Sequence, residues 1–266
     1  MTKFNQIDAL KLARKVISSE VTAINNLKRS IGKDLFLFCK EIHKCKGKLV
    51  IIGIGKSGHI ARKLSATFSS TGSPSFFMHP SEAMHGDVGA VTKKDLILII
   101  SNSGCTSEIL PLLPNFKKTG CKILSLCGNS NSKIFEESHI SIDIGVKKEA
   151  CPMNLAPTSS TTTTLVIGDV IAAILIKMKN FNSVDFGKNH PGGRLGKNLN
   201  LEKARTAALN NDLATVAEEI AKEAGSAAEF AEMNRIQQQA LAAAVGMSRE
   251  DLAQTLFTQE QLQGLT

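Results

Sequence analysis

The chain has 266 residues, 42% of them apolar, which is enough for one large domain with an appendage or two small domains. Its net charge of +8 is uneven, with 27 basic and 14 acidic side chains in residues 1–200 against 5 and 10 in residues 201–266, so the first part favours anionic ligands. No uninterrupted apolar run approaches the ~18 residues of a membrane span, and MTKFNQIDALKLARK has no apolar stretch of the kind a secretory leader carries, so a cytoplasmic protein without membrane partners is expected.

In chain order, residues 1–45 place Ile7, Leu10, Ile17, Val21, Ile24, Leu27, Ile31, Leu35, Phe38 and Ile42 on one helical stripe. That predicts one long helix or two shorter ones, the stripe being covered by the main domain or by a neighbouring subunit. KLVIIGIG (48–55) reads as a strand buried on both faces and ending in glycines. A helix is predicted from Ser57 to Ser70, a strand in SPSFFMH (73–79) and a third strand from Asp95 to Ile100. A helix from Thr106 to Lys118 follows, then a strand over Lys122–Cys127, a short helix over Ser132–Glu137 and a fifth strand over His139–Val146. This alternation implies an α/β fold, a parallel sheet between two helical layers with ligands at the carboxyl ends of the strands. APTSSTTTTLVIGDVIAAILIKMK (156–179) is a helix apolar on most faces, and the weak helix formers Thr161–Thr164 need tertiary contacts or a nearby ligand. Near residue 203 the composition turns Ala-rich, with Gln237–Gln239. Two or three weakly amphipathic helices are expected there, so residues 1–200 read as one domain and 201–266 as a separate helical appendage.

Two loops each follow a buried strand and are expected to open a helix: Gly53-Ile54-Gly55-Lys56-Ser57-Gly58, and Ser101-Asn102-Ser103-Gly104-Cys105-Thr106-Ser107-Glu108. Small residues let the backbone approach a ligand, and N–H groups at a helix start favour an anion. The first loop also matches the dinucleotide pattern G-x-G-x-x-G. The second strand, however, ends in Phe77-Met78-His79-Pro80 without the acidic residue that would hold a ribose. In the second loop Ser101, Ser103 and Thr106 form a compact set of hydroxyls suited to one phosphate, whereas a helix cap accounts for only one of them. HPSEAMHGDVG places His79, Glu82, His85 and Asp87 together, a candidate acid–base loop whose spacing fits no standard zinc site. GKNHPGGRLG (187–196) is a glycine-shaped loop displaying His190. Nucleic acid is not an expected partner, since no recognition motif accompanies the charge and all twelve aromatic residues are Phe. The six cysteines, without a C-x-x-C pair, read as reduced core residues.

GIGKSGHIARK, SNSGCTSE, HPSEAMHGDVGA and HPGGRLG, in positions fitting this domain over roughly residues 1–200, resemble the arabinose-5-phosphate isomerase family of the SIS superfold. The resemblance implies a five-stranded αβα sandwich and a homotetramer with active sites shared between subunits. It also implies no cofactor and interconversion of D-ribulose 5-phosphate and D-arabinose 5-phosphate for synthesis of Kdo, an acid of lipopolysaccharide or capsule. Aldose–ketose interconversion removes a proton from one carbon and returns it to the next through an enediol. Glu108 is the leading candidate base, because its own loop holds the phosphate. His85 and His190, to which the resemblance points, are alternatives for ring opening and proton shuttling on oxygen. Lys56 would stabilise charge on the enediolate or phosphate, and Gly55, Ser57, Ser101, Asn102, Ser103 and Thr106 would bind the substrate. Longer members of the family continue into paired CBS modules of mixed β/α pattern, which residues 203–266 do not show. Two other readings share the phosphate loop: a non-catalytic sugar-phosphate sensor and an amino-sugar phosphate isomerase. Residues 1–45 offer too few helices for the DNA-binding domain of such sensors.

Overall fold

A computed structural model describes residues 4–190, 203–224, 227–233 and 235–263. The chain divides into two compact units, Met1–Phe181 and Asn182–Thr266.

The first unit opens with α1 (Gln6–Ser30) and α2 (Lys33–Lys44). Asn5 starts α1 by accepting the Ile7 and Asp8 N–H groups at 2.8 and 3.1 Å, while Asp8 accepts the Asn5 N–H in return, a reciprocal cap. Gly32 separates the two helices, so the predicted stripe is broken there. Leu27, Leu35, Phe38 and Ile42 are buried, but Ile7, Leu10, Ile17 and Val21 are exposed. Only the second half of the stripe is therefore covered by this chain's own domain.

Five parallel strands follow: β1 (Leu49–Ile52), β2 (Ser75–Met78), β3 (Leu96–Ser101), β4 (Lys122–Cys127) and β5 (Ile140–Asp143), in the order β2-β1-β3-β4-β5. Helices α3 (Gly55–Ser70), α4 (Pro80–Met84), α5 (Leu113–Thr119), α6 (Lys133–Glu137) and α7 (Ser159–Met178) connect or follow them. The α/β sandwich read from the alternation is thus the observed fold. Alternate strand residues feed opposite faces. Leu49, Ile51, Leu98 and Leu124 pack with Phe38, Leu64, Phe68, Ile171 and Leu175 of α2, α3 and α7. Val50, Ile52, Ile97 and Ile123 pack on the other face with Leu113, Phe116 and Ile134. Near-continuous apolar strands are what burial on both faces requires.

By length and composition α7 could cross a bilayer, yet half of it is buried in the domain against α1, α2 and α3. At Gly168 an added Cβ would run into the Leu64 side chain, so the glycine sets how closely α7 approaches α3. The threonine run is held by the tertiary and backbone contacts it needs. Thr163 Oγ1 donates toward the Ile144 and Ser160 carbonyls (3.3 and 3.0 Å), Thr164 Oγ1 donates to the Ser160 carbonyl (2.7 Å), and Thr162 Oγ1 donates to Glu20 (3.1 Å).

The regular elements described in the second unit are all helices: α8 (Ser183–Asn189), α9 (203–209), α10 (Leu213–Ala224), α11 (Ala227–Glu232), α12 (Arg235–Val245) and α13 (Arg249–Gln263). Val216, Ile220, Phe230, Val245, Leu252 and Leu256 form its own apolar cluster. It holds more and shorter helices than the two or three expected, because alanine both packs and propagates helix and so blurs the apolar period on which the expectation rested.

All six cysteines are free. Burial pushes the thiols of Cys39 and Cys127 up to about 11, whereas the backbone N–H groups of Ala156, Leu155 and Met153 hold the Cys151 thiol below its ordinary value. The thiolate is the reactive form, so at pH 8 only about a thousandth of a thiol titrating near 11 is available. Timed alkylation at pH 8 followed by peptide mass spectrometry is expected to modify Cys151 early and Cys39 and Cys127 only on unfolding. Early labelling of Cys39 would contradict this.

Candidate active site

In the strand order β2-β1-β3 the chain leaves β1 in one direction for β2 and returns to its other side for β3. The carboxyl ends of β1 and β3 therefore flank the point where the winding reverses, which is where open α/β sheets form a ligand crevice. The two small-residue loops emerge at these two ends. Gly55, with φ +57°, begins α3 in a conformation that disfavours a side chain. An added Cβ on Gly58 would lie 2.9 Å from the Gly53 carbonyl oxygen, so this pair lets the turn close on itself. Among the described residues no side chain caps the start of α3. Lys56 is exposed and Ser57 half-buried on that first turn, where N–H groups and the helix dipole favour an anion.

The second loop differs from expectation. It opens no α-helix at Thr106. It runs through a turn and a short 3-10 segment, Leu110–Leu112, before α5 begins at Leu113. Pro111 and Pro114 are the cause: neither can donate the backbone hydrogen bond that a helix started at Thr106 would demand of it. The loop is instead shaped by its own hydroxyls. Ser101 is buried, its Oγ accepts the Gly104 N–H at 3.0 Å, and it lies 2.7 Å from Thr106 Oγ1 in a shared hydrogen bond. Ser103, exposed, accepts the Cys105 N–H at 3.3 Å. Gly104 has φ +65°, and an added Cβ there would strike the Ser132 side chain. Asn102 is exposed, and its carbonyl accepts the Gly128 N–H at 3.0 Å, tying the loop to the end of β4.

Glu108 is exposed at the end of this loop. The Ser107 hydroxyl donates to its Oε2 at 2.8 Å and, with the Glu108 backbone N–H and the nearby His79, holds the carboxyl below its ordinary range, leaving it ionised at neutral pH. His79 caps α4, its Nδ1 accepting the Ser81 N–H at 3.2 Å. The turn at Leu110–Leu112 packs on α4, which brings the acid–base loop beside the hydroxyl loop. His85 ends α4 and is exposed, and Asp87 begins the 3-10 turn Asp87–Ala90. Arg62, Phe77, His79, Glu82 and Asp87 line an adjoining cleft of about 420 Å³, with the Arg62 guanidinium 4.1 Å from the Phe77 ring centre. Among the described residues no cluster of His, Cys, Asp or Glu is arranged to hold a metal.

His190 belongs to the second unit. It ends α8, its ring stacks on Phe186 at 3.8 Å, and its Nδ1 lies 2.8 Å from the Phe186 carbonyl oxygen, so among the described residues Nε2 is the ring nitrogen without a partner. The rest of the predicted loop, Pro191–Gly196, lies outside the described residues. Sequence reading passed over Glu149. Its Oε2 accepts the N–H groups of Thr158 (2.8 Å) and Ser160 (3.1 Å) and so caps α7 from nine and eleven residues upstream. Burial pushes this carboxyl up, but the donors from Ser160 and Thr158 outweigh it and hold it below the ordinary range. No short-range spacing signals such a cap; only the excess of unpaired N–H groups at a helix start could have prompted a search for one.

Strand order, buried parallel strands and paired small-residue loops at the reversal point define a doubly wound α/β ligand-binding domain. The SIS domain pattern matches residues 41–174, and the chain belongs to the SIS domain family. It is 45% identical over 202 residues to arabinose 5-phosphate isomerase KdsD of Pseudomonas aeruginosa, covering 76% of this chain and 62% of that one. Against the protein of the same name in Escherichia coli K12 it is 45% identical over 192 residues, covering 72% and 58%. It thus spans about six tenths of the length of these curated relatives. A protein of E. coli CFT073, solved in complex with arabinose 5-phosphate, is 44% identical with a TM-score of 0.68, over 70% of this chain and all of that one.

Proposed function

We propose that this chain is an aldose–ketose isomerase that interconverts D-ribulose 5-phosphate and D-arabinose 5-phosphate. The observation that carries the reading is the placement of an ionised carboxylate, Glu108, on the same short loop as a cradle of hydroxyls and amides at the sheet's reversal point. The kinship to proteins named for this activity, and to one solved with arabinose 5-phosphate bound, supports it.

In this reading Ser103, Thr106 and the loop amides hold the phosphate. Ser101 shapes the loop from behind, and Asn102, Gly55 and Ser57 border the sugar. Arabinose 5-phosphate must first open its ring. From the ketose, Glu108 takes a proton from carbon 1 as the carbonyl oxygen on carbon 2 gains one, giving the enediol. Loss of the proton on oxygen 1 and return of a proton to carbon 2 then give the aldose. Lys56 opposes the negative charge that develops. His85 and His190 move protons on oxygen, and His190 acts across a subunit boundary in a homotetramer. The exposed Ile7, Leu10, Ile17 and Val21 of α1 fit burial in such an assembly. The reaction needs no cofactor, and its product supplies Kdo synthesis in the cytoplasm. The catalytic residues fall within 1–200, a stretch that includes Asn182–His190 of the second compact unit, and residues 201–266 are a helical appendage outside the chemistry.

The test is a coupled assay of the full chain with pentose, hexose and amino-sugar phosphates. Turnover of ribulose 5-phosphate above the others is expected. Binding without turnover would make the protein a sensor, and preference for an amino sugar would move it to a different isomerase group.

A further inference from the structure

A second cleft, of about 470 Å³, lies between α1 and the segment that follows β5, and none of its lining residues belongs to the loops after β1 and β3. Lys147 and Lys148 line one wall and Lys15 the other. All three are exposed to the cleft's solvent, none is paired with a carboxylate among the described residues, and no acidic side chain lines the cavity. Three lysines lining one cavity that holds no acidic side chain give it a positive potential, which a bound polyanion relieves.

The α1 wall has a composition of its own. Ser18, Ser19, Thr22 and Asn26 continue from Lys15 along one helical stripe, giving three hydroxyls and an amide on the face that meets the cleft. The Thr22 hydroxyl already donates to the Ser18 carbonyl at 2.7 Å and so offers a ligand its lone pairs, whereas Ser18, Ser19 and Asn26 can donate and accept toward sugar hydroxyls, and lysine is a point-charge partner for phosphate. The opposite wall is fixed rather than loose. The Asp143 carboxylate accepts the Gly145 N–H at 2.7 Å, the Ile144 N–H reaches the Cys127 carbonyl at 2.8 Å, and an added Cβ on Gly145 would come within 2.5 Å of the Gly128 carbonyl oxygen. Lys147 and Lys148 thus follow a backbone bend locked to the end of β4. The volume falls in the range of roughly 300–1,000 Å³ typical of small-molecule sites.

We infer that the cleft between α1 and residues 145–148 is a second binding site, for a phosphorylated, polyhydroxylated small molecule carrying at least two negative charges. The inference does not depend on the isomerase reading, since it concerns binding at residues that reading does not use.

Calorimetric titration of the full chain tests it, with fructose 1,6-bisphosphate as the probe and fructose as the uncharged control. Saturable binding of the bisphosphate is expected, weakened at least tenfold in Lys147→Gln/Lys148→Gln and retained in Ser103→Ala, which addresses the phosphate loop alone. Lys15→Gln, on the opposite wall, should weaken it in the same direction and carries the test if the double variant fails to fold. No saturable binding at millimolar bisphosphate, unchanged affinity in the lysine variants, or loss confined to Ser103→Ala would each overturn the proposal. Turnover of ribulose 5-phosphate measured without the bisphosphate reports separately on the isomerase reading.

Discussion

Replacing Glu108 by Gln is expected to lower turnover by about 10² or more, the usual scale for a lost acid–base group, with KM for the sugar phosphate changed only slightly. The amide would keep the size of the side chain and its place beside Ser107, so a loss confined to kcat isolates proton transfer from substrate holding. The pH profile gives a second handle. The working form is the carboxylate, and the Ser107 hydroxyl, the Glu108 N–H and His79 hold its titration below the ordinary range. Activity on the acidic side should therefore persist to lower pH than an unassisted glutamate would allow. Removing the largest contributor in Ser107→Ala raises the pKa and moves the acidic limb of kcat to higher pH. Near-normal turnover in Glu108→Gln, or an unmoved limb in Ser107→Ala, would take the proton-transfer role away from this residue. His190→Ala should also lose about 10², and normal turnover there would leave His85 as the remaining histidine candidate.

Gly104→Val is expected to destabilise the first unit by about 3 kcal/mol, combining roughly 1–2 kcal/mol for a left-handed backbone with a side chain and roughly 1–3 kcal/mol for overpacking. The backbone at Gly104 has φ +65°, and the added atoms would meet the Ser132 side chain. The residue cannot move aside cheaply, because its N–H bonds Ser101 Oγ at 3.0 Å and its carbonyl accepts the Ile134 N–H at 3.0 Å. Any accommodation therefore displaces the hydroxyl pair Ser101–Thr106, and KM for a sugar phosphate should rise at least tenfold, on the order of one charge-assisted hydrogen bond lost. Urea denaturation measures the first effect and steady-state kinetics the second. An unchanged urea midpoint would mean the loop is not held as described.

What the sequence disclosed follows from how local each signal is. Strands such as Leu49–Ile52 and Leu96–Ser101 were readable because burial on both faces demands unbroken apolar runs. The glycines of Gly53–Gly58 were readable because a turn that closes on itself excludes Cβ atoms. The start of α5 lies at Leu113 and not at Thr106 because the missing N–H groups of Pro111 and Pro114 override the helix-opening hydroxyl pattern. The cap on α7 by Glu149 escaped notice because it spans nine to eleven residues of irregular chain. The half-bare stripe of α1 was legible only as an alternative, domain or neighbouring subunit, because apolar spacing reports that a face will be covered and not by which molecule. In the proposed site, the loop hydroxyls and Glu108 were legible as residue types, but the division of work that places Ser101 inside the loop and Ser103 outside depends on burial that no spacing reveals.

Helix α7 is the last element to join the first unit's core, and it covers the sheet face built from Leu49, Ile51, Leu98 and Leu124. During synthesis that face carries α2 and α3 but lacks its α7 layer after all five strands have left the ribosome, and it closes only once residue 178 has emerged. A chain ending before Ser159 therefore presents a half-clad sheet, whose apolar side chains meet water until Ile167, Ile171 and Leu175 cover them.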